Sequence, residues 1–150
     1  MVKKISIKTK FGWISAFEKK GRIYRIRFGK LHKQNNSKNL VLFKKNLFKY
    51  MNKKSKTIKA SYDILGNKTQ RKVWKELRRI ECGQTKTYGE IAKKFKISPR
   101  LVGRICGQNK LLLYVPCHRV IKSDGSLGGF SSTGGLKLKK KLLMYESFQK

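Results

Sequence analysis

Acidic residues are scarce. Only 7 Asp+Glu stand against 39 Lys+Arg in 150 residues, a formal net charge of +32. A compact domain tolerates such self-repulsion more easily when its partner is a polyanion, so nucleic acid is the first candidate and an anionic membrane the second. The cations run along the whole chain, so charge alone locates no site, and a solvated lysine surface accounts for many of them equally well. Proline is nearly absent, at 2 residues, and no long polar tract reads as disordered. Cysteines number 3, at Cys82, Cys106 and Cys117. The odd count and the spacing exclude a disulfide framework, so free thiols in a reducing, cytoplasmic compartment are expected. The N-terminus "MVKKISIKTKFGW" lacks the apolar core of about 7–15 residues that a signal peptide needs. No apolar run approaches the roughly 18–20 residues of a membrane span, so no membrane partner is expected from that source. No G-x-S-x-G, P-loop or dinucleotide fingerprint is present. Cys106, Cys117 and His118 lack the paired spacing of zinc clusters, and neither metal nor cofactor is expected.

What is present organises into two parts. The first thirty residues alternate apolar and polar: Ile5 and Ile7, Trp13 to Phe17, and Ile23 to Phe28 predict three antiparallel strands. Residues 37–52 predict a helix capped by Ser37, with Leu40, Phe43, Leu47 and Met51 on one face. "IKASYDILGNK" reads as a connector, partly extended, and the domain division is placed at 1–60 and 61–150. Thr69 can cap the next helix, in which Val73, Trp74, Leu77 and Ile80 share a face and Gly83 lies past the end. "TYGE" is a capping box, with Thr87 at N-cap and Glu90 at N3. Ser98 can cap again, with Pro99 opening a basic helix. Two short helices around a tight turn make a helix-turn-helix or an ordinary helical hairpin; the charge favours the former. "LLLYV" reads as a buried extended run, "SDGSLGGFSSTGG" as a loop, and about 134–146 as a final helix. The fold class is therefore α+β: a small N-terminal antiparallel sheet plus helix, then a helical, winged helix-turn-helix-like C-terminal domain.

Cys117 and His118 stand side by side between the apolar run and the Gly-rich loop. A buried structural cysteine is the commonest fate of the residue. A thiol among so many cations is expected to have a lowered pKa, which favours the nucleophilic thiolate. In an extended segment adjacent side chains point to opposite sides. On that geometry His118 reaches the Cys117 sulfur only through a bridging water, and it needs an orienting acid. Glu90 is taken by its capping box, whereas Glu146 ends an apolar helix face and wants a partner. A Cys–water–His–Glu relay and a plain helix-terminal glutamate stand as open alternatives. A cysteine hydrolase is a further alternative, although no oxyanion hole is identifiable.

"VPCHRVI" with "DGSLGGF" downstream resembles the active-site segment of the O6-alkylguanine-DNA alkyltransferases. The likeness continues through "VWKELRRIECGQTKTYGEIA", "SPRLVGRICGQN" and "LKKKLLMYE", covering about residues 69–146. It implies single-turnover, direct-reversal repair of O6-alkylguanine, and also O4-alkylthymine, in double-stranded DNA by a monomer, with Cys117 as the alkyl acceptor. His118 would deprotonate Cys117 through water, Glu146 would hold His118, and Asn109 would brace the active-site turn. Tyr88 would help rotate the nucleotide and protonate the leaving guanine, and Arg100 would fill the gap in the base stack. Thr87, Ser98, Arg104, Gln108 and Lys110 complete the implied DNA face. Val115, Val120, Phe130 and Ser131 would form the guanine pocket. The resemblance also implies that the helix enters the minor groove. Three departures stand out: Phe130 where many members have Tyr, a longer "SSTGG" loop, and Arg104 in place of a small residue. The structural zinc of some relatives is not expected, because the first 81 residues lack Cys and only His32 could ligate.

Overall fold

A computed structural model describes residues 1–128 and 135–147. The chain is α+β, as expected, and it divides into two compact units. One comprises residues 1–65 with 110–114, the other residues 66–109 with 115–150.

In the first unit, strands β1 (Val2–Thr9), β2 (Gly12–Lys19) and β3 (Arg22–Phe28) form an antiparallel sheet in the order β1-β2-β3. Period-two alternation puts Ile5, Ile7, Ile14, Ala16, Ile26 and Phe28 inward, each no more than 7% exposed. Helix α1 (Lys38–Met51) packs on β1 and β3, burying Leu40, Phe43, Leu47, Tyr50 and Met51. The Ser37 side chain caps it by accepting from the Leu40 N–H. A free sheet edge invites unwanted pairing. Here β3 is covered by two short parallel bridges, Ile23 with Tyr62 and Ile26 with Leu111. The Tyr62 and Tyr114 rings stack at 3.5 Å beside them.

The second unit contains α2 (Lys68–Leu77), β4 (Lys86–Thr87), α3 (Tyr88–Phe95), α4 (Pro99–Gly107), β5 (Val120–Ile121) and α5 (Gly135–Ser147). Helices α2, α3 and α4 pack on one another. The Trp74 indole N–H donates to the Ile105 carbonyl at 3.0 Å, tying α2 to α4. The expected caps of α3 and α4 are present: Thr87 with Glu90 as a full capping box, and Ser98 before Pro99.

Four local expectations are corrected. Asn67, not Thr69, caps α2, because Gln70 lies three residues on and closes a reciprocal capping box. The helix also ends at Leu77, well short of Gly83, although Ile80 remains buried. "LLLYV" is no extended run: Leu113 adopts φ 70° inside a turn between isolated bridges. Finally, Cys117–Arg119 form a single 3-10 turn, so the opposite-sides geometry assumed for Cys117 and His118 does not hold.

Candidate active site

Asn109, just past the end of α4, is the first fixed point. Its side-chain amide donates to the Val115 carbonyl at 2.9 Å and to the Cys117 sulfur at 3.2 Å. The backbone N–H of Asn109 donates to the Cys106 carbonyl at 3.2 Å. One side chain thus ties the helix end to the turn that carries the thiol. Cys117 is 6% exposed and lines a cavity of about 950 Å³ together with Tyr88, Arg100, Gly103, Cys106 and Lys122.

Behind the thiol lies a buried charged cluster. His118 and Glu146 are each 1% exposed, and His118 Nε2 lies 2.9 Å from Glu146 Oε2. Among the described residues neither ring nitrogen has an aligned hydrogen-bond partner, although the close approach of Glu146 still favours the protonated ring. Glu146 is also gripped in a bidentate fork by Arg119, whose Nε and Nη2 donate at 2.8 Å each. The remaining Arg119 arm donates to the Ile80 carbonyl at 2.7 Å. Burial alone would raise the Glu146 pKa, but the Arg119 and His118 contacts outweigh it and hold the carboxyl well below the usual range. Burial pushes the His118 pKa down against the opposing pull of Glu146, so the ring is neutral near pH 7 and able to accept a proton.

The third component is Lys139 of α5, which has no exposed surface. Its ammonium donates to the Val120 carbonyl at 2.7 Å, the Leu127 carbonyl at 2.6 Å and the Tyr88 hydroxyl at 3.3 Å. It thereby holds both ends of the 120–127 segment to Tyr88. Gly128 has φ +74°, and a Cβ there would come within 2.9 Å of the Tyr88 ring, so only glycine fits. Burial pushes the Tyr88 hydroxyl up to about 12, with Cys106 and Cys117 adding to the rise.

The expected lowering of the thiol is corrected. Burial raises the Cys117 pKa, and the Asn109 hydrogen bond and the Lys139 charge oppose it only in part. The surface cations that motivated the expectation are too well solvated to reach it. Cys106, on the same cavity wall, is pushed up to about 12 by burial and by Cys117.

The structure therefore brings Tyr88, Arg100, Asn109 and Cys117 to one cavity region, with His118 and Glu146 packed behind. Thr87 and Ser98 serve as helix caps. Arg104 is exposed on α4, and Gln108 is exposed and accepts from Gln70 at 2.8 Å. Lys110 packs with the first unit, where its carbonyl accepts from the Ile26 N–H. Val115 offers its carbonyl to Asn109, and Val120 is fully buried. Phe130 and Ser131 lie outside the described residues. Sequence reasoning missed Arg119, Lys139, Cys106 and Lys122. Lys139 was legible: Leu138, Lys139, Leu142 and Glu146 make one buried α5 stripe at helical spacing, and a lysine inside such a stripe needs internal acceptors.

The family model for the DNA-binding domain of 6-O-methylguanine DNA methyltransferase matches residues 68–148, more than half of the chain. The chain belongs to this family. Within it, the chain is 46% identical over 97 residues to the methylated-DNA–protein-cysteine methyltransferase of Sulfolobus acidocaldarius, covering 65% of this chain and 61% of that protein. The methyltransferase of the same name from Methanosarcina mazei is 42% identical over 99 residues, with 65% and 61% covered. The match thus spans about three fifths of these relatives' length. Among solved structures, the Mycobacterium tuberculosis O6-methylguanine methyltransferase fold extends the likeness to the whole chain. The form in complex with DNA superposes with a TM-score of 0.87 at 28% identity, covering 97% of this chain and 93% of that one.

Proposed function

We propose that this protein repairs DNA by direct reversal, moving the alkyl group of O6-alkylguanine, and of O4-alkylthymine, onto Cys117. The observation that carries the reading is the Cys117 sulfur on the wall of the cavity, held by Asn109, with neutral His118 buried on Glu146 behind it. The thiol is protonated at rest, so it must lose its proton as the reaction begins. His118 takes that proton through a water, and Glu146, fixed by Arg119, stabilises the resulting imidazolium. The thiolate then attacks the alkyl carbon. A C–S bond forms, the C–O6 bond breaks with its electron pair staying on guanine, and the base is protonated by Tyr88. The thioether left on Cys117 resists hydrolysis, so each molecule acts once.

A duplex hides O6 inside the stack, and extruding the base costs a few kcal/mol. Lysine and arginine contacts to phosphate supply the binding. Arg100 fills the vacated gap, with Thr87, Ser98, Arg104, Gln108 and Lys110 on the DNA face. Val115, Val120, Phe130 and Ser131 belong to the guanine pocket in this reading. The protein acts as a cytoplasmic monomer without a cofactor.

Intact mass after incubation with duplex DNA carrying O6-methylguanine tests the reading. One methyl group per protein, located on the Cys117 peptide and absent from Cys117→Ser, is expected. Turnover beyond one equivalent would make the protein a hydrolase. Unmodified protein that still binds the lesion would make it a recognition module.

A further inference from the structure

The first unit carries about half of the 39 lysines and arginines, but only Glu18 and Asp63 of the seven acids. None of this charge is needed by the cavity chemistry, which lies wholly in the second unit. The sheet register shows where part of it is concentrated. On the face turned away from α1, Lys4 pairs with Phe17 and Phe17 with Arg25, and Lys8 pairs with Trp13; between these pairs Ser6 and Ser15 are buried under residues 29–34, so rings and cations lie to either side of that cover. The bulge at Phe17/Glu18 leaves Tyr24 beside the same row, with its ring 6.5 Å from that of Phe17. Arg25 and Arg27 lie over the Phe17 ring at 6.0 and 5.5 Å, and Lys30 over Trp13 at 4.8 Å. The three rings are half-buried, and Lys8, Arg25, Arg27 and Lys30 are exposed. No ion pair to an acid engages these cations among the described residues. Glu18, the one acid on these strands, is 3% exposed.

We infer that this face of the sheet is a second nucleic-acid contact surface, binding an unpaired strand. Its cations meet phosphates, and Trp13, with Phe17 and Tyr24, offers half-open rings on which bases stack. Rings and cations on a sheet face without an exposed acid suit a single strand, whose bases are splayed and accessible. A duplex would use the cations and leave the rings idle. The inference is independent of the Cys117 chemistry.

The test uses the full chain and a lesion-free oligothymidylate. Trp13 fluorescence should be quenched on titration, and the quenching should vanish in Trp13→Phe, since Trp74 is buried. The triple variant Lys8→Gln/Arg25→Gln/Arg27→Gln should bind the strand at least about tenfold more weakly at low salt. Its log affinity against log salt should flatten by about 2, from roughly 0.7 per lost phosphate contact. Alkyl transfer from free O6-alkylguanine base should be unchanged in that variant. Failure of transfer in the parent protein as well would overturn the repair reading and leave this one standing. Unquenched Trp13 with an unaltered slope would overturn the surface. So would equal losses on duplex and single strand without quenching, or tighter binding to phosphatidylserine vesicles than to oligothymidylate.

Discussion

The two units bury different things. Apart from Ser6, Ser15 and Glu18, the interior of the first unit is apolar, and nearly all its charge is left in water. The second unit takes His118, Arg119, Lys139 and Glu146 out of water within 29 positions of one another. Burying a charge is costly unless it is paired, and a paired cluster is seldom more stable than an apolar one of the same size. The first unit shows that this chain can close a core with a single buried acid, Glu18, and no buried cluster of charges. The cluster in the second unit is therefore better explained by chemistry at Cys117 than by folding. Each unit contains one of the two tryptophans, Trp13 or Trp74, so Trp13→Phe and Trp74→Phe backgrounds allow each to be followed separately.

The comparison can be broken most sharply at Glu146. Glu146→Gln leaves the buried Arg119 guanidinium without its carboxylate, which should cost about 3–5 kcal/mol, the range for breaking one side of a buried pair. Urea unfolding followed by Trp74 should shift strongly, and by Trp13 much less. Equal shifts would mean the units melt as one. Acid should sharpen the same contrast. Glu146 has its pKa depressed in the fold, so its contribution is present above the unfolded carboxyl pKa and fades as pH falls below it. His118 is also depressed, so the unfolded chain takes up its proton first and stability drops as pH falls below about 6.5. Both signs agree: the Trp74 transition should move to lower urea on acidification before the Trp13 transition does.

Lys139→Met is expected to act on chemistry more than on folding. Removing the ammonium raises the Cys117 pKa further, so the pH–rate profile for alkyl transfer should move to higher pH. Amide exchange at 120–127 should quicken as the Val120 and Leu127 carbonyls lose their donor. An unmoved profile would reduce Lys139 to a strut. Thr87→Ala removes one half of the α3 capping box and should cost about 1 kcal/mol. Lys8→Gln, on the first unit's exposed face, should stay within about 0.5 kcal/mol.

The strands, α1 and the caps at Ser37, Thr87 and Ser98 were legible because each rests on a local rule: alternation, an apolar stripe, or a hydroxyl before a helix. The site was legible where residues are neighbours in sequence, share one buried helical stripe or carry the family's motif. That Glu146 meets His118 follows from the resemblance; that Arg119 forks the same carboxylate depends on a 3-10 turn that spacing alone does not reveal. The thiol pKa was misjudged for a related reason. Composition counts charges but not how many reach a buried sulfur, and here one buried lysine and one amide do more than the surface cations. Asn67 displaced Thr69 as a cap because a reciprocal partner at Gln70 outranks a hydroxyl without one.

The five residues Lys110–Tyr114 leave the second unit's chain to complete the first, between Asn109 and Val115. The polypeptide therefore crosses between the units three times, and no single backbone cut separates them. Trimming away residues 1–65 would strip Leu111–Leu113 of their cover and remove the Ile26 backbone groups that pin the segment. That segment is the tether between the asparagine that grips the sulfur and the turn that bears it. Repair capacity should thus be lost on deletion of a region that contributes no atom to the cavity, and co-expressed 1–65 should restore it by docking under the tether.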